Sequence, residues 1–380
     1  MVTPTVSAHA YPWDVLDDPA FPDRVRDAGL DAVTLALSYH STRAATPLHP
    51  QRRFVDARHF ALYRPVDHRA WSGRRLVPSR ADWAPGPDPG GAAVEALAAA
   101  GIPVNAWLVL AHNSRLGTLH PRLAVTNCFG EPYPYALCPA QPEVREYCAT
   151  LAAEALRGLT PGAVRGVSLE SAGQLGAVHL GCHEKTDGAY PAAALRALSV
   201  CCCAACRARW RAAGLDPGEA VALLRRSATA ADGPPVPDAP GSVLLAARHT
   251  AADELRGQVL AAVRETLPGV PVTLHAHPDP WATGPSPGLT ARAAEDVDAL
   301  LVPCWPTGPG SASLVEAAAR HGLPVDAYVT AQPPADPERL PAHVRGLRAA
   351  GASRLSLYHL GLLPPPRLPL LARLAKEFRS

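Results

Sequence analysis

Lysine is almost absent from this sequence. Of 36 basic residues only Lys185 and Lys376 are lysines, while proline supplies 42 of the 380 residues. With the abundant alanine, this bias is typical of a GC-rich coding sequence, so a surface Arg or Pro alone says little about function. The 36 basic residues nearly balance 34 acidic ones. This balance creates no basic electrostatic field of the kind found in proteins that bind nucleic acids or membrane surfaces. We therefore expect neither a nucleic acid nor a membrane as a partner.

Long apolar runs are also missing. No stretch reaches the ~18 apolar residues of a membrane span, and residues 1–9 have no basic or apolar region of a secretory signal. We therefore expect a cytoplasmic protein that does not contact a membrane. The hydrophobic share of 48% is enough for a large core and excludes general disorder. Nine cysteines without a signal favour free thiols or a metal site over disulfides.

Short apolar, β-branched runs alternate with Ala-, Leu- and Arg-rich helical stretches along the chain. This order predicts parallel strands joined by crossover helices. Glycine follows the end of several predicted helices directly before a strand, as at Gly29 and Gly351, where it accepts the left-handed helix cap. The predicted strands lie at 5–9, 32–37, 104–111, 164–169, 270–275, 299–303, 324–330 and 353–359.

Eight such units close a (β/α)8 TIM barrel of the α/β class. The rival fold is a doubly wound open sheet, but no phosphate-binding glycine fingerprint opens the first helix. We expect residues 1–380 to form one barrel, with a helical, cysteine-rich insertion at 171–242 after strand four. The long segments 39–91, 112–141 and 171–242 all follow strand carboxyl ends, which is the face where barrel chemistry lies.

Polar and aromatic side chains stand at these predicted strand ends. Their convergence indicates a mouth that binds a polar, ring-shaped ligand. The predicted substrate-binding residues are Tyr39, His40, His112, Asn113, His275, Trp305, Tyr358 and His359.

Glu170 is the strongest single candidate for a catalytic residue. It directly follows the buried run Val167 to Leu169, and burial of a carboxylate raises its pKa. A raised pKa suits a general acid near neutral pH. The structural alternative is a rim carboxylate paired with an Arg or His.

The eight-unit barrel, Glu170 at the end of strand four and the aromatic mouth resemble the (β/α)8 glycoside hydrolases. The segment from Tyr133 to Arg145, followed by a strand and a Cys-x-Cys-x-x-Cys helix, also resembles uncharacterised bacterial proteins with glycosidase-like barrels. The resemblance implies that Glu170 is the acid/base of a carbohydrate-active hydrolase. Such an enzyme cleaves a glycosidic bond in a small-molecule or oligosaccharide substrate and needs no cofactor for catalysis.

The sequence departs from that family at strand seven. There the family places a nucleophilic Glu, whereas this chain ends the strand without a carboxylate and continues to Gln332. A second carboxylate is needed in the common mechanisms. Asp279 is the predicted catalytic partner, because flanking prolines and Trp281 suit a sugar-stacking site. Glu184 and Asp187 are further candidates.

The run from Cys201 to Cys206 is the most specific local motif. Cys203-x-x-Cys206 has zinc-knuckle spacing, and Cys201 adds a third thiolate. We predict a structural zinc held by Cys182, Cys201, Cys203 and Cys206. Buried inert thiols and a redox dithiol remain open. The other cysteines, Cys128, Cys138, Cys148 and Cys304, are interpreted as isolated thiols.

Two other functions remain open. One is a metal-dependent barrel hydrolase or sugar isomerase with His9, His112, Glu170 and His275 as metal ligands. The other is a non-catalytic barrel that binds sugar and has lost its nucleophile.

Overall fold

The apolar runs form a closed, eight-stranded parallel barrel. The computed structural model describes residues 4–179, 184–186, 188–229 and 235–380. Neighbouring barrel strands pair in parallel, and the first strand pairs with both the second and the eighth, which closes the sheet. The (β/α)8 fold class is thereby confirmed. The strands are β1 (Thr5–Ala10), β2 (Ala32–Tyr39), β3 (Val104–Val109), β4 (Val164–Glu170), β5 (Val272–His275), β6 (Ala299–Pro303), β7 (Val325–Thr330) and β8 (Arg354–Tyr358).

The strand ends differ from the sequence prediction by a few residues. β5 begins at Val272, because Pro271 has no N–H to donate to the ladder and supplies only its carbonyl, which accepts from the Val167 N–H. β4 extends to Glu170, which is therefore part of the strand. Gly29 and Gly351 have φ of 64° and 110°, the left-handed conformation expected of helix stops.

Helices cover the outside of the barrel and build the loops of its carboxyl-terminal face. The last helix buries Leu371, Leu374 and Phe378 along one side, as an amphipathic helix must. The helices are α1 (Pro12–Val15), α2 (Phe21–Asp27), α3 (Pro89–Ala99), α4 (Ser114–Leu119), α5 (Pro142–Leu156), α6 (Ala192–Leu198), α7 (Ala204–Ala212), α8 (Pro217–Thr229), α9 (Asp238–Thr266), α10 (Ala293–Asp296), α11 (Pro309–Ala319), α12 (Leu340–Ala349) and α13 (Leu368–Arg379). No helix among the described residues is long and apolar enough to cross a bilayer.

The connection between β4 and β5 carries four helices, α6 to α9. The 29-residue α9 packs along α5 and also contacts α7, whereas α8 contacts both α6 and α7.

Two small hairpins stand on the carboxyl-terminal face. One joins Thr42–Ala45 to Phe54–Ala57 after β2, and the other joins Ala124–Thr126 to Pro132–Leu137 after β3. Both hairpins lie in long segments for which the sequence predicts loops. The second hairpin brings Tyr133, Tyr135 and Cys138 towards the barrel mouth and the α6–α7 segment.

Candidate functional site

Glu170 lies in the upper part of the barrel and is only 4% exposed. Its Oε2 accepts a 2.8 Å hydrogen bond from the indole N–H of Trp107 on the neighbouring strand β3. The same oxygen is 3.7 Å from Nδ1 of His275 on β5. Period-two alternation along three adjacent strands thus directs all three side chains into the barrel.

The surroundings of Glu170 favour an uncharged carboxyl group. Burial raises its pKa to about 8, and the Trp107 hydrogen bond opposes this rise. At neutral pH most of the group is therefore protonated, which is the state a general acid needs. Burial also lowers the pKa of His275 to about 3, so this imidazole is neutral beside Glu170.

Ser168 fixes the position of the His275 ring. Its Nε2 lies 2.8 Å from the hydroxyl of Ser168, which stands two residues before Glu170 on the same strand. Both side chains are buried. The imidazole therefore bridges Ser168 and Glu170 and has little freedom to rotate.

Aromatic rings fill the space around Glu170. His9 contacts the rings of Trp107 and Tyr328, each with a centroid distance of 4.6 Å. Tyr39 packs edge-on against Trp107 at 4.7 Å. Both ring nitrogens of His9 are buried without a hydrogen-bond partner among the described residues. This layer forms the bottom of the mouth.

A second group of rings forms the rim. His40 stacks on Tyr39 at 4.0 Å and lies 4.3 Å from the ring of His112. His112 Nε2 is 2.8 Å from Nε2 of His179, whose ring stacks on Tyr135 at 4.2 Å. The structure thus brings three predicted residues, Tyr39, His40 and His112, into one connected row.

Trp305 and Tyr358 form the opposite side of the rim. Their rings are 5.2 Å apart, and Trp305 is 42% exposed although it is a large apolar side chain. The Tyr358 hydroxyl lies 3.5 Å from that of Tyr11. An exposed indole beside buried phenols is a surface on which a sugar ring can stack.

Two of the predicted substrate-binding residues already have structural partners. Asn113 caps α4, where its side-chain oxygen accepts from the Leu116 N–H, and its amide donates to Tyr147. His359 is buried under Tyr11, with its Nδ1 3.8 Å from Asp14. Neither side chain contacts Glu170.

The predicted partner carboxylate, Asp279, lies in the loop after β5. Its side chain is 45% exposed, 4.0 Å from Arg196, and accepts from the Trp281 N–H. It does not contact Glu170. Glu184 lies 3.8 Å from His179 on the rim, and Asp187 falls outside the described residues. Among the described residues, no second carboxylate affects the pKa of Glu170.

No protein-family model matches this chain, and no curated protein matches its sequence. Solved structures do match. α-L-Fucosidase isoenzyme 2 from Paenibacillus thiaminolyticus superimposes over 99% of this chain with a TM-score of 0.57 and 14% identity. The β-galactosidase from Bacillus circulans sp. alkalophilus gives the same coverage, TM-score and identity. The chain has the barrel fold of glycoside hydrolases.

The extent of the match differs among these glycoside hydrolases. The alignment spans 49% of the fucosidase and 56% of the galactosidase, so this chain has about half their length. This chain also superimposes on the catalytic domain of β-amylase from Paenibacillus polymyxa, and the alignment spans 99% of that domain with a TM-score of 0.58 and 12% identity. The glycosidase-like barrel inferred from the sequence is thus confirmed as a fold.

A cluster of four cysteines lies beside this glycosidase-like barrel. Cys138, Cys201, Cys203 and Cys206 are buried, and their sulfur atoms all lie within 4.8 Å of one another. Cys138 is 3.6–3.7 Å from each of the others. A tetrahedral zinc with metal–sulfur bonds of about 2.3 Å separates its sulfurs by about 3.8 Å. The geometry therefore fits a four-thiolate metal site.

The interpretation of Cys138 as an isolated thiol is wrong, since its sulfur is one of the four that converge in this cluster. Cys182, the fourth ligand predicted from the sequence, falls outside the described residues. Hydrogen bonds from Cys138, Cys201 and Cys206 lower the pKa of Cys203, which favours a thiolate there. The backbone N–H of Thr126 donates to the Cys201 sulfur at 3.5 Å. The side-chain amide of Gln141 donates to the Cys203 sulfur, also at 3.5 Å. Donors of this kind are common around metal-bound sulfur.

The histidine-based metal site has less support. Among the described residues, the four cysteines are the group whose ligand atoms converge, and His9, His112, Glu170 and His275 do not form such a group. His112 lies in the rim beside His179, away from the Glu170–His275 pair. The geometry therefore does not favour the metal-dependent hydrolase or isomerase.

Sequence reasoning missed several residues of the glycosidase-like mouth. Trp107 and Tyr328 lie inside strands, and parallel barrel strands read as continuous apolar runs without visible alternation. Ser168 was likewise counted only as part of the run before Glu170. A period-two count back from Glu170 would have found Ser168, and the paired register of β3 and β4 would have placed Trp107 beside it.

Proposed function

We propose that this protein is a carbohydrate-active hydrolase in which Glu170 is the general acid that protonates the leaving oxygen of a glycosidic bond. The observation that carries the proposal is a buried carboxyl group with a pKa near 8 at the end of β4, in a barrel with the fold of glycoside hydrolases. The fold match by itself would not assign an activity. The protonated state of Glu170 supports the activity, because a general acid must carry the proton that it donates.

The substrate we propose is an oligosaccharide or glycoside. Trp305 offers an exposed ring for stacking, and His40 and Tyr358 present polar edges at the same mouth. Aromatic faces with polar groups around them are suited to sugar rings, which have apolar faces and hydroxyl edges. The fucosidase, galactosidase and amylase named above support the same substrate class.

Asp279 is the second carboxylate that we propose. It follows β5, the strand that also supplies His275, and its side chain is 45% exposed in the loop after that strand. Asp279 would activate water or attack the anomeric carbon, and the product anomer distinguishes these roles.

The test is hydrolysis of a panel of aryl and natural glycosides by the wild type, Glu170→Gln and Asp279→Asn. Glu316→Gln, an exposed helical substitution, is the matched control. We expect at least one glycoside to be cleaved, and each active-site change to lower kcat by about 100-fold or more. Equal inactivity of all four proteins on every glycoside would contradict the hydrolase.

A second candidate function is non-catalytic sugar binding. It is favoured by β7, which ends in Thr330 without the nucleophilic Glu that the resemblance to glycoside hydrolases implies at this strand end. Binding of oligosaccharides without turnover, measured by calorimetry on the same panel, would support it. Turnover that depends on Glu170 would exclude it.

We further propose that the four-cysteine cluster holds a structural zinc. The metal would connect the hairpin after β3, through Cys138, to the start of α7, through Cys201, Cys203 and Cys206. It would stabilise the loops that surround the mouth without taking part in the reaction.

A further inference from the structure

The amino-terminal end of the barrel encloses a cavity of about 320 Å³. All eight barrel strands contribute to its wall. Thr5, Asp31 and Arg165, which are solvent-exposed, lie at its outer end. The cavity is therefore on the opposite side of the barrel from Trp305 and the mouth.

Polar side chains interrupt the wall of this cavity, whereas TIM barrels usually fill this space with bulky aliphatic side chains. A chain of hydrogen bonds runs around it from Asn105 to Thr34, then to Ser7, Ser356 and Asp326, with distances between 2.9 and 3.5 Å. Small hydroxyl side chains replace the usual packing and leave the interior open.

The cavity is suited to water. One ordered water needs about 10–15 Å³ and two or more polar partners, so there is room for several. Asp326 is 8% exposed, and its Oδ1 is buried without a hydrogen-bond partner among the described residues. A buried carboxyl oxygen without a partner is costly, and a water molecule removes that cost.

Ser168 connects this cavity to the candidate acid. It lines the cavity, and its hydroxyl is 2.8 Å from Nε2 of His275. The other nitrogen, Nδ1, is 3.7 Å from Oε2 of Glu170. A polar path therefore runs from the cavity through Ser168 and His275 to Glu170.

The path has a defined direction. Because Oε2 of Glu170 accepts from Trp107, it presents lone pairs to His275, which favours an N–H at Nδ1 of the imidazole. Nε2 is then an acceptor, and the Ser168 hydroxyl donates to it. Every proton in this arrangement points from the cavity towards Glu170.

We propose that the cavity is a water-filled proton path that reprotonates Glu170 through Ser168 and His275, from the side of the barrel opposite the mouth. This role rests on the acid function proposed for Glu170. Glu170 is only 4% exposed beside the rings of His9 and Trp107, so the direct route from the mouth is already restricted in the free protein, and a seated substrate would cover it further. A second route lets the acid recover its proton in both states.

The transfer balances as follows. Ionised Glu170 takes the proton from Nδ1 of His275, and Nε2 takes the proton of the Ser168 hydroxyl. A hydronium ion in the cavity returns a proton to Ser168 and becomes water. The net change is one proton moved from the cavity to Glu170 and a shift of the His275 proton from Nδ1 to Nε2. The Nδ1–Oε2 gap must close by less than about 1 Å to reach hydrogen-bond distance.

Other charged groups face the same path. Asp326, Arg354, Asp31 and Arg165 line the cavity, and His9 packs beside His275 with a centroid distance of 6.3 Å. Burial raises the pKa of Asp326 to about 6, so it titrates below Glu170 and can hold a proton near the inner end of the cavity. These groups are unchanged in the variants that test the path.

The test needs no substrate. After a jump from about pH 9.5 to about pH 6.5, which spans the Glu170 pKa, the infrared carbonyl band of protonated Glu170 is followed in time. The band is assigned by its loss in Glu170→Gln. We expect Ser168→Ala to slow its appearance by about tenfold or more, and Ser168→Thr, which keeps a hydroxyl, to restore the rate.

Thr273→Val is the matched control, because Thr273 lines the same cavity outside the path. We expect its rate to stay within about twofold of the wild type. Reprotonation of Ser168→Ala at the wild-type rate would overturn the path, as would equal slowing by Thr273→Val. Since no glycoside is involved, this result is separate from the presence or absence of hydrolase activity.

If Ser168→Ala does not fold, a measurement on the wild-type protein still tests the path. Nitrogen-15 NMR distinguishes the two neutral tautomers of His275 in the wild-type protein. At about pH 9.5, where Glu170 is ionised, the path requires the proton at Nδ1, and a proton at Nε2 would contradict it.

Discussion

The indole N–H of Trp107 donates a 2.8 Å hydrogen bond to Glu170, and this bond is what limits the effect of burial on the carboxyl pKa. Burial disfavours the ionised carboxylate, whereas a donor favours it. The pKa near 8 is the balance of the two. The protonation state of the candidate acid therefore depends on a residue of the neighbouring strand.

Trp107→Phe should raise the pKa of Glu170 above 8, because it removes the donor that stabilises the carboxylate. The alkaline limb of the pH profile of kcat/KM would move upward accordingly. Trp13→Phe is the control, since the Trp13 indole N–H is buried without a hydrogen-bond partner among the described residues and does not donate to Glu170. A downward shift, or an equal shift in both variants, would contradict the assigned role of the hydrogen bond.

Trp305→Ala should raise KM by about 3- to 10-fold, which corresponds to about 0.5–1.5 kcal/mol of aromatic stacking. Its ring is exposed at the mouth and lies 5.2 Å from Tyr358, so little packing is lost. Phe54→Ala removes another exposed ring, which lies against Arg43 on the hairpin after β2 rather than against Trp305 or Tyr358, and should leave KM unchanged. An effect of Trp305→Ala on thermal stability but not on KM would show that the ring has only a structural role.

Cys138→Ser should reduce bound zinc from one per chain to none and lower the melting temperature, because it removes one of the four sulfurs of the cluster. Cys148→Ser changes a buried cysteine outside the cluster and should keep the metal. The measurement is elemental analysis together with the thiolate absorption of the cobalt-substituted protein. Full zinc content in Cys138→Ser would contradict this ligand set.

Stability should fall as the pH rises through the pKa of Glu170. The folded value near 8 is above the ordinary 4.5, so the folded state holds the extra proton and stability is lost between these values as pH increases. Glu170→Gln should show a weaker fall, by up to a few kcal/mol at about 1.4 kcal/mol per pKa unit. Burial also raises the pKa of Asp14, to about 7, and this contribution has the same sign in both proteins.

Denaturant unfolding of both proteins between about pH 5 and pH 9 checks this difference. Parallel curves for the wild type and Glu170→Gln would mean that the carboxyl group is not protonated in the folded state at neutral pH.

The fold could be predicted because its signals are local. Apolar runs, helical stretches and the glycines at 29, 101, 322 and 351 each follow from a few neighbouring residues, and all four glycines have positive φ. Glu170 was also predictable, since a carboxylate directly after an apolar run is visible in sequence. The pKa itself depends on burial and on Trp107, which only the folded barrel brings near.

The rest of the site depends on contacts between distant residues. Cys138 lies 63 positions from Cys201, so no local spacing could link them. Ser168 and His275 are 107 positions apart and meet only because β4 and β5 are neighbours in the barrel. Small polar residues scattered among strands do not predict a cavity until the strands close around them.

The most direct test of Glu170 as a general acid is its dependence on the leaving group. Glu170→Gln should lower kcat/KM about 1,000-fold on a glycoside with an alkyl leaving group and about tenfold or less on the dinitrophenyl glycoside, which departs without protonation. Glu170→Gln keeps the Trp107 acceptor, so the protein should remain folded. Equal losses on both substrates, or no loss on the alkyl glycoside, would contradict the account.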